Sequence, residues 1–206
     1  MKIGRSVTKA IDEWESGDVD SAMLHACNAV DGTARKQPFG SQGNRARFVR
    51  LLRENYDILG PMGMPGVDVV KTLFPVAIKP GEPVKAFDLA DVVYLVHRCT
   101  HGHGDDLPGG FELLRDAHRK EPLTELIVEP DHVRLSDRII FGLLGVAVAN
   151  PMNAGERASD GYYLSYNQTE RMTINEWWGR REAMVAVMGK VQMPLVHLNF
   201  GNWLPA

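Results

Sequence analysis

Fifteen residues, 96–110 (VHRCTHGHGDDLPGG), hold three histidines, one arginine, one cysteine and two aspartates. Three chemistries fit that composition. His101, His103 and Asp105 are two imidazoles and a carboxylate at alternate positions, the donor set and density that a zinc ion takes. Arg98 and His103 form an R-x4-H pair. An imidazole near its unperturbed pKa of about 6.5 can take or give a proton, and a guanidinium fork can neutralise charge on a phosphate bidentately. The third option is structural: histidines beside the last carbonyls of a helix interact well with its dipole. His97 and Arg98 could then pair with Asp88, Asp91 or the nearby aspartates.

What positions these residues is a helix expected over residues 87–100. Asp88 is its candidate cap, Leu89, Val92, Val93 and Val96 share one side, and Gly102 and Gly104 break it. Five residues along an α-helix turn through about 500°, so Arg98 and His103 do not share a face on an unbroken helix. The break at Gly102 lets His103 turn back towards Arg98. His101, three residues after Arg98, lies on the arginine's own face and is a second candidate base.

Upstream the chain reads as helical. Ser6 is a candidate cap and Gly17 a stop for a first helix with Val7, Ile11 and Trp14 on one face. Asp18 or Asp20 caps a second, carrying Val19, Met23, Ala26 and Val30. A third spans about 41–59 with Phe48, Leu51, Leu52 and Tyr56 inside, and a short helix is expected around 68–73. Downstream, FELL, ELIVE and HVRL within residues 111–134 read as short strands. A helix follows over 135–149, with Ser136 near its start and Asn150-Pro151 at its end. Residues 162–166 read as a strand, Thr173 caps a last helix through residue 188, and PLVHLNF is a candidate final strand. The expected fold is mainly α: a helical bundle with a small β elaboration in the C-terminal half. It is a single domain of residues 1–206, with a helical core at about 5–150 and a β-containing extension at about 151–206.

Composition narrows the function. The 206 residues carry 44% hydrophobic and 24% charged side chains and a net charge of −3, ordinary for a soluble globular chain. That balance gives no bulk attraction for nucleic acid, although a local basic patch can still supply one. The two cysteines, Cys27 and Cys99, make neither a metal pair nor a disulfide framework, which fits a reducing, cytoplasmic setting. The N-terminus lacks the apolar core of a secretory signal. The longest apolar run, residues 139–149, is shorter than the roughly twenty residues a membrane span needs, so no membrane partner is expected.

Two resemblances attach to the 96–110 segment. VVYLVHRCTHGHGDD resembles locally the H-x-H-x-D-H signature of the metallo-β-lactamase fold, but departs from it at Asp106, where that family has histidine. The remaining ligands would have to come from His118, His132 or His197, and that fold needs strands where residues 6–59 read as helix. The R-x4-H pair at the end of AFDLADVVYLVHRC resembles the HEPN superfamily, in which an arginine and a histidine four to six residues later lie in a small helical bundle. LHACNAVDGTARK is similar to an early bundle helix of that family, and RIIFGLLGVAVANPMN and INEWWGRRE to C-terminal stretches of its bacterial members. The likeness covers residues 18–150 loosely.

The HEPN resemblance implies a metal-independent endoribonuclease without cofactor, in toxin–antitoxin or phage-defence settings. The RNA 2′-hydroxyl would attack the adjacent phosphate, with Arg98 stabilising charge, His103 as general acid/base and His101 as the second candidate. The resemblance also implies a homodimer with two Arg98/His103 pairs facing each other, and an antitoxin or regulatory protein as a further partner. Two features depart from active members. Cys99 follows the arginine where a polar residue is common, and Asp105 and Asp106 bring negative charge close by. An inactive HEPN-like bundle that binds RNA, nucleotide or a protein is the alternative, and a metallo-hydrolase using His101, His103 and Asp105 the third.

Other residues could extend such a site. Arg45, Arg47, Arg50 and Arg53 recur at about helical spacing. Arg47 and Arg50, together with His97, are the candidate RNA-backbone contacts, although Glu54 can instead pair with Arg50 at i+4. His25 reads as a satisfied, partly buried histidine, with Asp31 six residues on. Trp177 and Trp178 cannot both face the core from one helix, so one is expected inside and the other against a neighbour or a dimer surface.

Overall fold

The structure, a computed structural model, describes residues 2–77, 82–98, 111–116, 124–129, 132–167, 170–191 and 193–201. Four helices open the chain: α1 (Ile3–Ser16), α2 (Val19–Lys36), α3 (Asn44–Arg53) and α4 (Tyr56–Gly63). A hairpin of β1 (Phe74–Val76) and β2 (Lys85–Phe87) leads into α5 (Leu89–Val92), which continues directly as a π-helix (Val93–Arg98). Next come β3 (Phe111–Leu114), β4 (Ile127–Glu129) and β5 (His132–Ser136), a three-stranded sheet in the order β3-β5-β4. β3 runs parallel to β5, with Phe111 opposite Val133, and β4 runs antiparallel to it. The chain then forms α6 (Arg138–Ala149), a 3-10 turn (Pro151–Asn153), the hairpin β6 (Tyr163–Tyr166) and β7 (Glu170–Thr173), and two short helices, α7 (Ile174–Trp177) and α8 (Arg181–Gly189).

The protein is thus mainly α with small β elements. The core is the layer where α1, α2, α4 and α6 meet. Val7, Ala10, Met23, Ala26, Val30, Leu59, Leu143 and Leu144 are wholly buried there. α6 is apolar all round because helices cover it on several sides. It crosses α4 at close range. A methyl group added at Gly142 would stand 3.0 Å from the Leu59 carbonyl oxygen and 3.2 Å from Gly63 Cα.

Several boundaries follow from local chemistry as the sequence predicts. Gly17 ends α1 at φ 98°, where its amide and that of Asp18 reach the carbonyls of Trp14 and Glu13. Asp18 caps α2 through Ser21 N, and Asp88 caps α5 through Asp91 N. Asn150 ends α6, and its side chain then accepts from the Met152 amide.

Other expectations are corrected. Ser6 lies inside α1, not at its cap, because the helix already starts at Ile3. The expected helix over 41–59 is two helices parted at Asn55. Its side chain donates to the Leu51 carbonyl and accepts from Arg181 Nε, so long-range pairing fixes the break. Residues 69–71 form turns rather than a helix. The last helix splits at Gly179, whose φ of 76° ends α7. PLVHLNF makes only an isolated bridge, Val196 to Val67, because a single short segment offers it pairing. β structure is not confined to the C-terminal half. The β1–β2 hairpin precedes the C-terminal half, whereas FELL, IVE within ELIVE, and HVRL form β3, β4 and β5 as expected. Trp178 is buried and Trp177 half-buried, as expected, although they flank a helix end and do not share one helix.

Candidate functional site

The helix that carries Arg98 is anchored at its N-terminal end by α3. Arg53 Nε donates to Asp88 at 2.6 Å and its Nη2 to Asp91 at 2.7 Å, while Arg45 reaches Asp91 at 2.8 Å. Tyr56 Oη accepts from the Ala90 amide at 3.0 Å, and Tyr94 packs edge-on against buried Phe48. Burial alone would push the Asp88 carboxyl up. The hydrogen bonds from Arg53 and the Asp91 amide together outweigh it and hold it below its ordinary range. The same bond raises the Arg53 guanidinium, and burial raises the Tyr56 hydroxyl. Past Val92 the ladder changes from i→i+4 to i→i+5 and runs through Arg98. Such π segments are rare, and they are frequent at functional sites.

Arg98 and His97 therefore occupy the last backbone positions of the π-helix, while their side chains fall outside the described atoms. His101, His103, Asp105, Asp106 and Cys99 all lie outside the described residues, as does His118. Of the other histidines considered for a metal, His132 lies on β5 and His197 is exposed near the C-terminus. Among the described residues no group of three or more metal-ligating side chains comes together.

The arginine stripe is largely engaged in ion pairs. Arg50 pairs with Glu54 at 2.7 Å and lies over the Phe39 ring at 4.3 Å. Arg45 and Arg53 hold α5. Arg47 donates to Asn44 at 2.6 Å, and its Nε is buried without a partner. Arg45 and Arg53 thus clamp α5, a role the spacing alone does not suggest. His25 departs from the satisfied histidine expected: its Nδ1 is buried without a partner. Burial and then Lys9 lower its pKa. Asp31 pairs with Arg35 at 2.7 Å.

A second constellation escaped the sequence reading. A cleft of about 870 Å³ opens between α1, α6 and the segment before β6. Trp14 and Phe141 form one wall, in an edge-to-face contact at 4.9 Å, and Tyr162 and Tyr163 another. At its floor Asp137, 1% exposed, accepts from Trp14 Nε1 at 2.6 Å and from the Asp116 amide at 3.3 Å. Asp116 accepts in turn from Ser136 Oγ at 2.8 Å, and its Oδ1 is buried without a donor. Burial pushes the Asp137 carboxyl up against the Trp14 hydrogen bond, and the Asp116 charge adds to the rise. Tyr162 donates to Asp12 at the rim. The one signal for this site in the sequence is LSDR at a strand-to-helix junction, where Ser136 stands near the start of the expected helix and Asp137 has no distinguishing pattern.

These features define a mainly α protein with an arginine at the end of a π-helix and a separate cleft floored by two carboxylates. The chain belongs to the Rv1289 family, whose model matches residues 2–204. Its relatives include the uncharacterised proteins Mb1320 of Mycobacterium bovis and Rv1289 of Mycobacterium tuberculosis. Each is 38% identical over 210 residues, spanning 100% of this chain and 98% of the relative. No solved structure matches the chain. Among the described residues no helix is long and apolar enough to cross a membrane.

Proposed function

We propose that this chain is a HEPN-like, metal-independent endoribonuclease whose reacting pair is Arg98 and His103. The observation that carries the reading is the π-helix that ends at Arg98, because π segments are rare and are frequent at functional sites. The clamp from Arg53 and Arg45 supports it further, because it fixes the start of the helix that presents the arginine.

In this reading His103 takes the proton from a ribose 2′-hydroxyl. The 2′-oxygen then bonds to the adjacent phosphorus, and Arg98 neutralises the charge that builds on the non-bridging oxygens. The P–O5′ bond breaks and the leaving oxygen takes a proton, giving a cyclic phosphate and a free 5′-hydroxyl. The protonating group is a second imidazole, His101 or the His103 of a second copy. His97, Arg47 and Arg50 line the approach of the RNA backbone. The protein works as a cytoplasmic homodimer, in toxin–antitoxin or antiviral defence, under control of a protein partner.

The test is cleavage of single-stranded RNA by the purified protein in EDTA, compared with His103→Ala. Cleavage that survives chelation and is lost in the variant supports the reading. RNA bound but left intact identifies an RNA-binding bundle instead.

A further inference from the structure

We infer that the cleft between α1 and α6 binds the guanine base of a neutral nucleoside, with the ring against its aromatic walls and Glu15 on the donor edge of the base. None of the cleft's described lining residues belongs to the helix that ends in Arg98, so this site stands apart from the proposed ribonuclease centre.

α6 is covered along its length except where it meets the cleft. Of its twelve residues only Arg138 and Phe141 are not buried, and both line the cleft. Trp14 and Tyr162 are half-buried, and Tyr163 is 45% exposed. Four aromatic side chains thus meet at one concavity of about 870 Å³, within the range of small-molecule sites and ample for a nucleoside. Exposed apolar side chains scattered singly are ordinary, whereas a concave cluster of aromatic ones marks a binding surface.

The rings are held in place by their own partners. Trp14 Nε1 is bonded to Asp137, and the indole meets Phe141 edge to face at 4.9 Å. Tyr162 donates to Asp12, and the Arg171 guanidinium lies over the Tyr163 ring at 3.7 Å. Walls fixed before a ligand arrives spare it part of the ordering cost of binding. Flat, rigid aromatic side chains suit a planar ring, and unstacked bases are recognised on such surfaces by stacking and by hydrogen bonds to their edges.

Charge then selects the base and its form. Glu15 and Asp160 stand at the rim, and Arg138 is the one cationic residue in the described lining, with its Nη1 turned to Thr124 at 3.2 Å. That balance repels a phosphate, so a nucleoside is favoured over a nucleotide. Asp137 lies too deep to meet the ligand, and Trp14 and the Arg115 charge already serve it. Asp160 accepts from Asn175. Glu15 is exposed and makes no hydrogen bond or ion pair among the described residues. A carboxylate with both oxygens free accepts two parallel donors. Guanine carries such a pair, N1–H and N2–H, side by side on one edge, and adenine does not.

Guanosine is the probe, with adenosine and guanosine 5′-monophosphate beside it. Calorimetric titration of the full chain should saturate at one guanosine per chain, with each of the other two weaker by about tenfold or more. Tyr163→Ala removes an exposed wall and should weaken guanosine binding by about tenfold, the worth of stacking one base. Glu15→Gln should weaken guanosine by about tenfold and remove the preference over adenosine. Both substitutions change exposed side chains, so the fold is kept and the loss is read at the cleft. Glu176→Gln, which removes an exposed carboxylate outside the cleft's described lining, should leave binding unchanged. Four results would overturn the inference: no saturation by guanosine, adenosine bound as tightly, the monophosphate bound more tightly than the nucleoside, or equal weakening in all three variants. All of these are read without RNA, so failure here and failure of the ribonuclease reading remain distinct.

Discussion

Trp14 Nε1 donates to Asp137 Oδ2 across 2.6 Å, joining the last turn of α1 to the turn between β5 and α6, 123 residues away in sequence. The bond gives a nearly inaccessible carboxylate its shortest hydrogen bond. Trp14→Phe keeps the edge-to-face contact with Phe141 but leaves that oxygen short of a donor. The expected loss is about 1–3 kcal/mol, the cost of an unsatisfied buried polar group, measured by urea unfolding at neutral pH.

The same carboxylate sets a pH dependence of definite sign. Its pKa in the folded protein is raised, chiefly by burial. The native state therefore binds more protons than the unfolded chain between the ordinary aspartate value and the folded one, and stability falls as pH rises through that window. Asp137→Asn removes this fall while keeping an oxygen for Trp14. The difference in unfolding free energy between the wild type and Asp137→Asn should move in favour of the variant as pH is raised from 4 to 7. A constant difference would mean the carboxyl is not shifted.

Asp88 acts in the opposite sense. Its folded-state pKa is lowered, so its stabilisation is present above the ordinary aspartate value and is lost as pH falls through the folded one. Arg53 is half exposed, and solvent screening limits the pair to about 0.5–1 kcal/mol. Arg53→Ala should cost little stability. It should speed amide exchange across residues 89–98 and reduce RNA cleavage by about ten- to a hundredfold, the penalty for misplacing a reacting group. Arg53→Lys cannot hold both carboxylates with one planar fork and should rescue only in part.

The contact between α4 and α6 gives a packing test. A Cβ at Gly142 meets backbone on two sides, so Gly142→Ala should destabilise by about 1–3 kcal/mol. Gly189→Ala, where a Cβ meets nothing within 4 Å, should be neutral or slightly stabilising. Paired thermal melts check both.

What the sequence revealed was local. The apolar periods of α1, α2 and α6, the Gly17 stop and the Asp18 and Asp88 caps depend on residues within one or two turns of each other. What it concealed was long-range. Asn55 breaks a helix because Arg181 arrives from 126 residues away. The arginines of α3 look like a nucleic-acid stripe until α5 brings Asp88 and Asp91 against them. Asp116 and Asp137 are ordinary carboxylates in sequence, and only the β3–β5 pairing and the C-terminal end of α1 turn them into the floor of a cleft. The π register before Arg98 has no periodic signature in six residues, and a run of apolar residues reads there simply as helix.

The central claim is tested most directly by incubating single-stranded RNA with the wild-type protein, Arg98→Ala and His103→Ala in EDTA and identifying the product ends. The account predicts fragments ending in a cyclic phosphate with the wild type, and a loss of rate of about a hundredfold or more in each variant. RNA that stays intact at stoichiometric wild-type protein, or cleavage that persists in both variants, would contradict it.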